Sequence, residues 1–582
     1  MLHAKSSRSL PGVRATLVAL ILCSLSLPSP SSAQSQPGAD IATSVREQFR
    51  QEERIEAIRQ RQEHAVDVRA TPGPDAERGR IPDDEAPCFV IERFVIEGEG
   101  IESFGWLYRA ASGPAADDGP EGRCLGTQGI NLILRRLQNA LIERGYITSR
   151  IGAQPQELSD GTLQLSLQPG QIHRLLDRHG ETLDGTGLRA SLPVRPGAVL
   201  NLRDVEQTLE NYRRVPSAET NIRILPAELD AYSEILIKHE QRSRFRGTLA
   251  LDDSGMKSTG KYQGSLSLAW DNPTGLNDLA YLTVTSDLSG ARGKRGTEGL
   301  IAHYSVPLGY WIASAAFDHS RHRQRIAGLT QTYTYGGRHT NLEVRLGRLL
   351  HRDRYSKSSL HAGVFRRASN NYIDDTEVLV QRRRVSGWLV SAEHRRYMGR
   401  ATVDATLGYR QGTRWFGAIS APEERFGEGT SRFGLFTGTL SLGVPFELGQ
   451  RGWHYHGHLR AQRERTRLAP PQRFAIGGRY SVRGFDGETV LSAERGFVLR
   501  NELSTRIGKR NDLRGYAGLD YGRVGGPTAD LLVGRQLAGA VLGIRGAYRQ
   551  LRYDLFVGTP LLKPSRFNSP RLSAGFELVL SF

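Results

Sequence analysis

The sequence lacks the long apolar segments that mark a helical membrane protein. Hydrophobic residues make up 38% of its 582 residues, and the mean hydropathy is -0.42. The apolar run from Ala15 to Leu27 is shorter than the roughly 20 residues that a transmembrane helix needs. We therefore exclude a bundle of transmembrane helices. A transmembrane β-barrel stays open, because only alternate residues of its strands face lipid.

Motifs of common enzyme and metal sites are also missing. The sequence contains no G-x-S-x-G elbow, no P-loop and no H-E-x-x-H. His454, His456 and His458 alternate along one predicted strand, a pattern that suits either a metal or the polar interior of a barrel. We take the second interpretation. The prediction is a protein that is not an enzyme and has no metal and no cofactor.

The start of the chain has the three parts of a secretory signal peptide. Basic residues among the first 14 precede the apolar run, and Ser31-Ser32-Ala33 follows it. We predict a signal peptide over residues 1–33, and therefore export from the cytoplasm.

Cysteine is scarce, with three residues in the chain. Cys23 lies within the predicted signal peptide, which leaves Cys88 and Cys124. Because two cysteines in an oxidising periplasm tend to pair, we predict a Cys88–Cys124 disulfide. Two free buried thiols are the alternative.

Acidic residues are outnumbered, and the formal net charge is +17. Such a surplus would first suggest nucleic acid as a partner, but an exported protein does not meet it. A basic barrel lumen, or contact with anionic lipopolysaccharide, explains the surplus better.

Residues 34–68 contain a charged helix, predicted over residues 42–66. Its apolar stripe is thin, since it consists of Val45, Phe49, Ile55 and Ile58. Such a helix either stays in solvent or lies in a polar cavity. Residues 69–86 are rich in proline, glycine and charge, and we predict a linker there.

Two small α+β modules are predicted next, over residues 87–168 and 169–243. The first begins with one strand from Cys88 to Gly98 and contains a helix from Ile130 to Arg144. The second contains a helix from Leu202 to Asn211 and closes with two strands.

Residues 244–582 consist of short alternating segments between turn residues, with no long helix. Backbone groups in lipid must all be paired, so these strands are predicted to close into a barrel. At ~10 residues per strand plus connections, roughly 16 antiparallel strands fit. The last strand alternates up to Phe582, and a terminal aromatic there resembles the signal by which bacterial outer-membrane proteins are recognised for assembly.

The most specific motif is FAIGGRYSVRGF, residues 474–485, late in the predicted barrel. It resembles the conserved loop of the two-partner secretion transporters (TpsB), the haemolysin-activation family of ShlB, FhaC and HecB. Similar family segments are Asp252-Asp253-Ser254-Gly255, Asp271-Asn272-Pro273 and Arg500-Asn501-Glu502-Leu503. The resemblance extends from the N-terminal helix to the last residue.

This resemblance implies an N-terminal plug helix, two POTRA domains and a 16-stranded barrel in the outer membrane of a Gram-negative bacterium, with the POTRA domains in the periplasm. It implies export of one large β-helical TpsA-type exoprotein, such as a haemolysin, an adhesin or a contact-dependent inhibition toxin. Whether the transporter also activates this exoprotein is left open. The exoprotein would bind the POTRA domains, and the barrel assembly machinery would insert the transporter. The alternative is an outer-membrane insertase of the same superfamily.

The resemblance also implies site residues. Val482, Arg483, Gly484 and Phe485 would form a loop that folds into the barrel, where the arginine contacts an aspartate of the wall. Asp520 matches that aspartate, although Gly518 stands where the family pattern has phenylalanine, so Asp486 and Glu502 remain alternatives. In a water-filled lumen the ion pair would contribute ~1 kcal/mol or less.

Overall fold

The computed structural model describes residues 37–63, 66–69, 79–183, 190–289, 295–328, 330–508 and 512–582, with side chains from Val45 onward. The predicted signal peptide and Cys23 lie outside these residues. Along the chain follow a helix, two α+β modules and a barrel. Within the described residues, no helix is long and apolar enough to cross a membrane.

The first helix, α1 (Pro37–Gln62), begins five residues before the predicted start and ends four residues before the predicted end. Polar pairs one turn apart stabilise it, among them Arg59 and Glu63 at 2.8 Å and Gln51 and Glu47 at 2.7 Å. These pairs account for a stable helix whose apolar stripe is too thin for a protein core.

The first module pairs two sheets with two helices. Its elements are β1 (Phe89–Ile91), β2 (Arg93–Glu97), α2 (Leu107–Ala111), β3 (Arg123–Leu125), α3 (Thr127–Glu143), β4 (Arg150–Ala153) and β5 (Thr162–Gln168). Strand β1 pairs with β3, while β2, β5 and β4 form a three-stranded sheet in that order. The single strand predicted from Cys88 to Gly98 is thus two strands, since the chain changes sheets at Glu92.

The last part of the predicted linker contributes to this module. Ile81 is buried in the module's core, and the Glu85 carboxylate accepts bonds from the backbone N–H groups of Gly126 and Gly129 at the start of α3. A carboxylate is favourable at a helix N-terminus, where backbone N–H groups lack partners. Cys88 and Cys124 form a disulfide beside it, with their Cα atoms 5.3 Å apart.

The second module consists of β6 (Gln171–Leu176), α4 (Leu202–Arg213), β7 (Ala218–Pro226) and β8 (Tyr232–Gln241). Its sheet has the order β6-β8-β7, so β7 lies at an edge. Asn201 caps α4 by accepting a hydrogen bond of 2.8 Å from the N–H of Arg203.

Sixteen long antiparallel strands close into a barrel, as predicted. They are β9 (Phe245–Asp252), β10 (Gln263–Asp271), β11 (Leu279–Asp287), β12 (Gly296–Leu308), β13 (Trp311–Ala327), β14 (Thr332–Arg352), β15 (Ser356–Ile373), β17 (Arg383–Met398), β18 (Ala401–Thr413), β19 (Gly434–Leu448), β20 (Arg451–Glu464), β23 (Arg495–Arg506), β24 (Arg514–Gly525), β25 (Gln536–Tyr548), β26 (Leu551–Leu562) and β27 (Ser573–Ser581). A two-residue strand, β16 (Thr376–Glu377), extends one hairpin, and the short strands β21 (Phe474–Ile476) and β22 (Leu491–Ala493) belong to the loop between β20 and β23.

The barrel closes where β27 pairs with β9. The last residue continues this pairing, since the N–H of Phe582 donates to the carbonyl oxygen of Gly247 and the carbonyl oxygen of Phe582 accepts from the N–H of Gly247. On β10, Leu266, Leu268 and Trp270 are exposed, while Ser265 and Ser267 are buried. The wall therefore has an apolar outside and a polar inside, as the alternation predicts.

Candidate translocation conduit

The barrel encloses a cavity of about 1680 Å³. Its lining comes from α1, the wall strands, α4 of the second module and the loop between β20 and β23. His456 and His458 face it, with the imidazole of His458 2.9 Å from the Ser441 hydroxyl, so these predicted interior residues do line the lumen. The interior is polar and charged, in contrast to the packed apolar core of a small barrel.

Helix α1 lies in this lumen. Ile55 and Ile58, half of its predicted apolar stripe, pack against a small cluster on the wall formed by Ala269, Leu279, Tyr281 and Ile301. One turn before Ile58 on the same face, Arg54 is 4% exposed, donates to the Gln263 side chain at 2.7 Å and lies 3.6 Å from Asp252. The thin stripe and charged faces of α1 thus match a polar cavity, the second of the two locations that its sequence allows.

Further ion pairs attach α1 around the lumen. They join Glu52 to Arg367 at 3.5 Å, Glu53 to Arg460 at 3.4 Å, and Arg61 to Glu577 on the last strand. Because these partners come from strands on different sides of the barrel, α1 spans the lumen.

The loop between β20 and β23 is the second element inside the barrel. Its β21–β22 hairpin and the VRGF segment bury a cluster of apolar side chains against the wall. The cluster consists of Phe474, Ile476, Val482, Phe485, Leu491, Ala493, Val498, Val524, Ala529, Leu537 and Phe567. Burial of this apolar surface stabilises the inward position of the loop.

Arg483 joins this loop to the wall through two carboxylates. Its Nε and Nη2 donate to the two oxygens of Asp520 at 2.8 and 2.9 Å, and its backbone N–H donates to Asp520 at 2.9 Å. Its Nη1 donates to Glu502 at 2.6 Å. Glu502 also accepts a hydrogen bond of 2.8 Å from Arg545, so this wall carboxylate is paired with an arginine of the wall as well.

The structure thus brings Arg483 together with Asp520 and also with Glu502, one of the two alternatives. The other, Asp486, turns away, and its carboxylate accepts from the N–H of Glu488 at 3.2 Å. Arg483 is 7% exposed and Asp520 is 3% exposed, so the expectation of a solvated, screened pair is wrong. Breaking a buried pair by removing one partner costs about 3–5 kcal/mol.

Glycines allow the loop to approach the wall this closely. A Cβ on Gly518 would lie 2.5 Å from Nη2 of Arg483, and a Cβ on Gly522 would lie 2.9 Å from Val482. Gly518, the departure from the family pattern, therefore leaves room for the guanidinium. Gly484 has φ +107°, and its Cβ would lie 2.5 Å from the carbonyl oxygen of Thr559.

Helix α1 and the loop also contact each other. Arg46 donates to the carbonyl of Glu488 at 2.6 Å, and Arg50 donates to the carbonyl of Asp486 at 2.8 Å. No sequence motif marks these bonds, because their acceptors are backbone atoms that every residue has. The two elements inside the lumen thus contact each other directly.

The second module docks on the periplasmic end of the barrel through α4. Arg352 at the end of β14 lies 3.2 Å from Glu206 and 2.9 Å from Glu210, and Lys357 lies 2.5 Å from Glu210. Arg352 also donates to the carbonyl of Val68, in the segment that leaves the lumen after α1. The module, the barrel and the segment after α1 therefore meet at one charged cluster.

The matches to known proteins occur in the same order of domains as in the structure. Residues 231–546 match the family of the haemolysin secretion/activation protein ShlB/FhaC/HecB, and residues 115–170 and 173–226 match POTRA domains. The chain is 35% identical over 571 residues to the outer membrane transporter CdiB-2 of Burkholderia pseudomallei, with 95% of this chain and 97% of that protein covered. It is 26% identical to the hemolysin transporter protein ShlB of Serratia marcescens, with 75% and 76% covered. The solved structure of CdiB from Acinetobacter baumannii has a TM-score of 0.82 and 28% identity, with 93% of this chain and 99% of that one covered.

Proposed function

The chain belongs to the ShlB/FhaC/HecB haemolysin secretion/activation family, and we propose that its lumen is the path by which one large β-helical exoprotein leaves the cell. It is an outer-membrane pore of two-partner secretion, with both POTRA domains in the periplasm. The proposed cargo class is a haemolysin, an adhesin or a contact-dependent inhibition toxin.

The observation that supports this path best is α1 inside the lumen. An α-helix with its side chains is about 10–12 Å wide, and an extended chain with its side chains needs a width of about 10 Å. Departure of α1 alone therefore frees enough width for an extended polypeptide. The α1 contacts are ion pairs and a small apolar cluster, which can be exchanged for contacts with a passing chain.

We propose that the POTRA domains capture the exoprotein by strand addition. Strand β7 lies at the edge of the second sheet, and its residues Glu219, Asn221 and Arg223 alternate with less polar ones. A sheet edge offers unpaired backbone groups to an extended partner. Arg352 places this domain at the entrance to the lumen.

Two further partners complete the proposal. Phe582 is 62% exposed at the strand that closes the barrel, where the barrel assembly machinery would recognise it. The apolar outside of the wall contacts outer-membrane lipid, including lipopolysaccharide in the outer leaflet.

Site-specific photo-cross-linking tests the path. Thr439 on β19 lines the cavity, whereas its neighbour Leu440 is 42% exposed on the lipid side. A photoreactive residue at position 439 should cross-link a stalled exoprotein during export, and the same residue at 440 should not. Equal yields at both positions would contradict transport through the lumen, and cross-links to nascent barrel proteins instead would favour the insertase.

A further inference from the structure

The lipid-facing side of the barrel carries a belt of arginines near the outer ends of its strands. Its members are Arg321, Arg323 and Arg325 on β13, Arg338 on β14 and Arg384 on β17. Their chain neighbours point inward, since His322 and His339 are buried. Because successive side chains alternate across a strand, the belt faces outward.

Strand geometry places the belt at the outer surface of the membrane. Trp311, 41% exposed and covered by the guanidinium of Arg348 at 4.9 Å, begins β13 at the periplasmic end. Arg321 follows ten residues later, about 33 Å along the strand at ~3.3 Å per residue. With a strand tilt of about 40°, that is roughly 25 Å of height, which equals the height of the apolar band of such barrels.

Apolar side chains lie directly below the belt. Leu342, Val344 and Leu346 of β14 face the same side as Arg338 and are 45–47% exposed. A ligand that contacts both levels must combine negative charge with long apolar chains.

The belt places like charges directly opposite each other. Arg321 is the cross-strand partner of Arg338 in the β13–β14 pairing, an arrangement that is destabilising without a counter-charge. Their contacts within the described residues are to neutral groups: Arg321 donates to His319 at 3.2 Å, and Arg338 lies over the ring of Tyr372 at 4.9 Å. Glu298 on β12, the other cross-strand partner of Arg321, is exposed on the same face and supplies one counter-charge. The five arginines of the belt keep an excess of positive charge over this carboxylate, and the excess favours an anion from outside the chain.

We propose that this belt binds the phosphate groups of lipid A, the phosphorylated and multiply acylated glycolipid of the outer leaflet. Two neighbouring guanidinium groups present fork-shaped donors that match phosphate oxygens. The acyl chains would lie along Leu342, Val344 and Leu346. The proposal depends on the outer-membrane location of the barrel and is independent of what the barrel exports.

The test uses the full chain, freed of lipid and placed in phosphatidylcholine nanodiscs with or without bis-phosphorylated lipid A. The variant is Arg321→Gln/Arg338→Gln. The matched control is Arg348→Gln/Arg396→Gln, which removes two exposed outward-facing arginines from the periplasmic ends of β14 and β17. The measurements are lipid A bound per barrel and the midpoint of heat-modifiable gel migration.

The belt variant should bind lipid A roughly tenfold more weakly for each lost guanidinium, because a factor of about ten corresponds to the free energy of one hydrogen bond to a charged group. The control variant should bind lipid A as tightly as the parent does. The effect on stability should also change sign. Without lipid A, removal of the two opposed charges should leave the midpoint unchanged or raise it, whereas with lipid A it should lower the midpoint.

Three results would overturn the proposal. One is equal binding of lipid A that lacks its phosphates. Another is equal stabilisation by inorganic phosphate, which would assign the belt to a free anion. The third is the same loss of stability with and without lipid A, which would make the arginines structural. Secretion of the exoprotein, measured separately, tests the export function whichever way the lipid experiment falls.

Discussion

Replacing Arg483 with glutamine should release the loop that folds into the lumen. The substitution removes four side-chain bonds, two to Asp520, one to Glu502 and one to the carbonyl of Asn501. Glu502 keeps Arg545, but the nearest other cation to Asp520 is Arg500, at 3.9 Å. An unpaired buried carboxylate costs about 3–5 kcal/mol, and Arg500 offsets part of that cost, so we expect about 3 kcal/mol.

A cysteine probe measures this change in free energy as a change in labelling rate. A shift of about 3 kcal/mol changes the ratio of displaced to docked loop by roughly 10²-fold. Ala493 in β22 is fully buried in the loop's apolar cluster, and Cys88 and Cys124 are occupied in a disulfide. In an Ala493→Cys background, Arg483→Gln should therefore increase labelling by an external maleimide about a hundredfold, and secretion should fall while the barrel inserts normally.

Arg410→Gln is the matched control. Arg410 lines the same lumen but lies 3.8 Å from Glu343, away from the loop. It should label at the parental rate. Parental labelling and secretion by a correctly inserted Arg483→Gln protein would refute the role of this arginine in holding the loop.

Three further outcomes follow from the geometry. Deletion of Pro37–Gln62 should raise ion conductance in planar bilayers, because α1 obstructs a charged lumen; unchanged conductance would contradict the plug. Gly484→Ala should reduce secretion, because its Cβ would lie 2.5 Å from a carbonyl oxygen of β26, while Gly449→Ala, equally left-handed but in open space, should not. Burial raises the pKa of Asp118 in the first POTRA domain, but bonds from the Arg136 guanidinium and a backbone N–H outweigh burial and hold the pKa below its ordinary value. Ionised Asp118 should therefore stabilise the domain above pH ~4, and this stabilisation should be lost as the pH falls further. Limited proteolysis should show the loss in the parent, and in Asp118→Asn the stabilisation should be absent at every pH.

The fold could be predicted from the sequence because the strands of the barrel and the elements of the modules have local patterns. Alternation over Ser265–Trp270 predicts a wall strand, and the VRGF motif predicts the family, which the comparisons confirm. The thin stripe of α1 predicts a polar site but not its partners, since those come from strands more than 200 residues away. The break of the first strand at Glu92 was missed because the residues on both sides favour β structure equally, and only pairing with different sheets separates them.

The environment of Arg483 could not be predicted from the sequence, for a related reason. Its side chain contacts Asp520, Glu502 and the Asn501 carbonyl on two neighbouring strands, a set that no local pattern in the chain brings together. The motif gave the contact with Asp520, while the added contact with Glu502 arises from the register that places Arg500 opposite Asp520 and Glu502 opposite Gly518.

The two elements that close the lumen are held by different kinds of interaction, and this difference orders their release. Helix α1 has a few apolar contacts and ion pairs of 3.4 to 3.6 Å. The Glu52–Arg367 and Glu53–Arg460 pairs are partly exposed and contribute about 0–1 kcal/mol each, while the Arg54–Asp252 pair is buried. The loop has an apolar cluster and a buried charge network with four bonds on one guanidinium. Displacement of α1 leaves these loop contacts intact and removes only the two bonds from Arg46 and Arg50. We therefore expect α1 to leave at lower cost than the loop, and an extended cargo to pass a lumen that the loop still shapes.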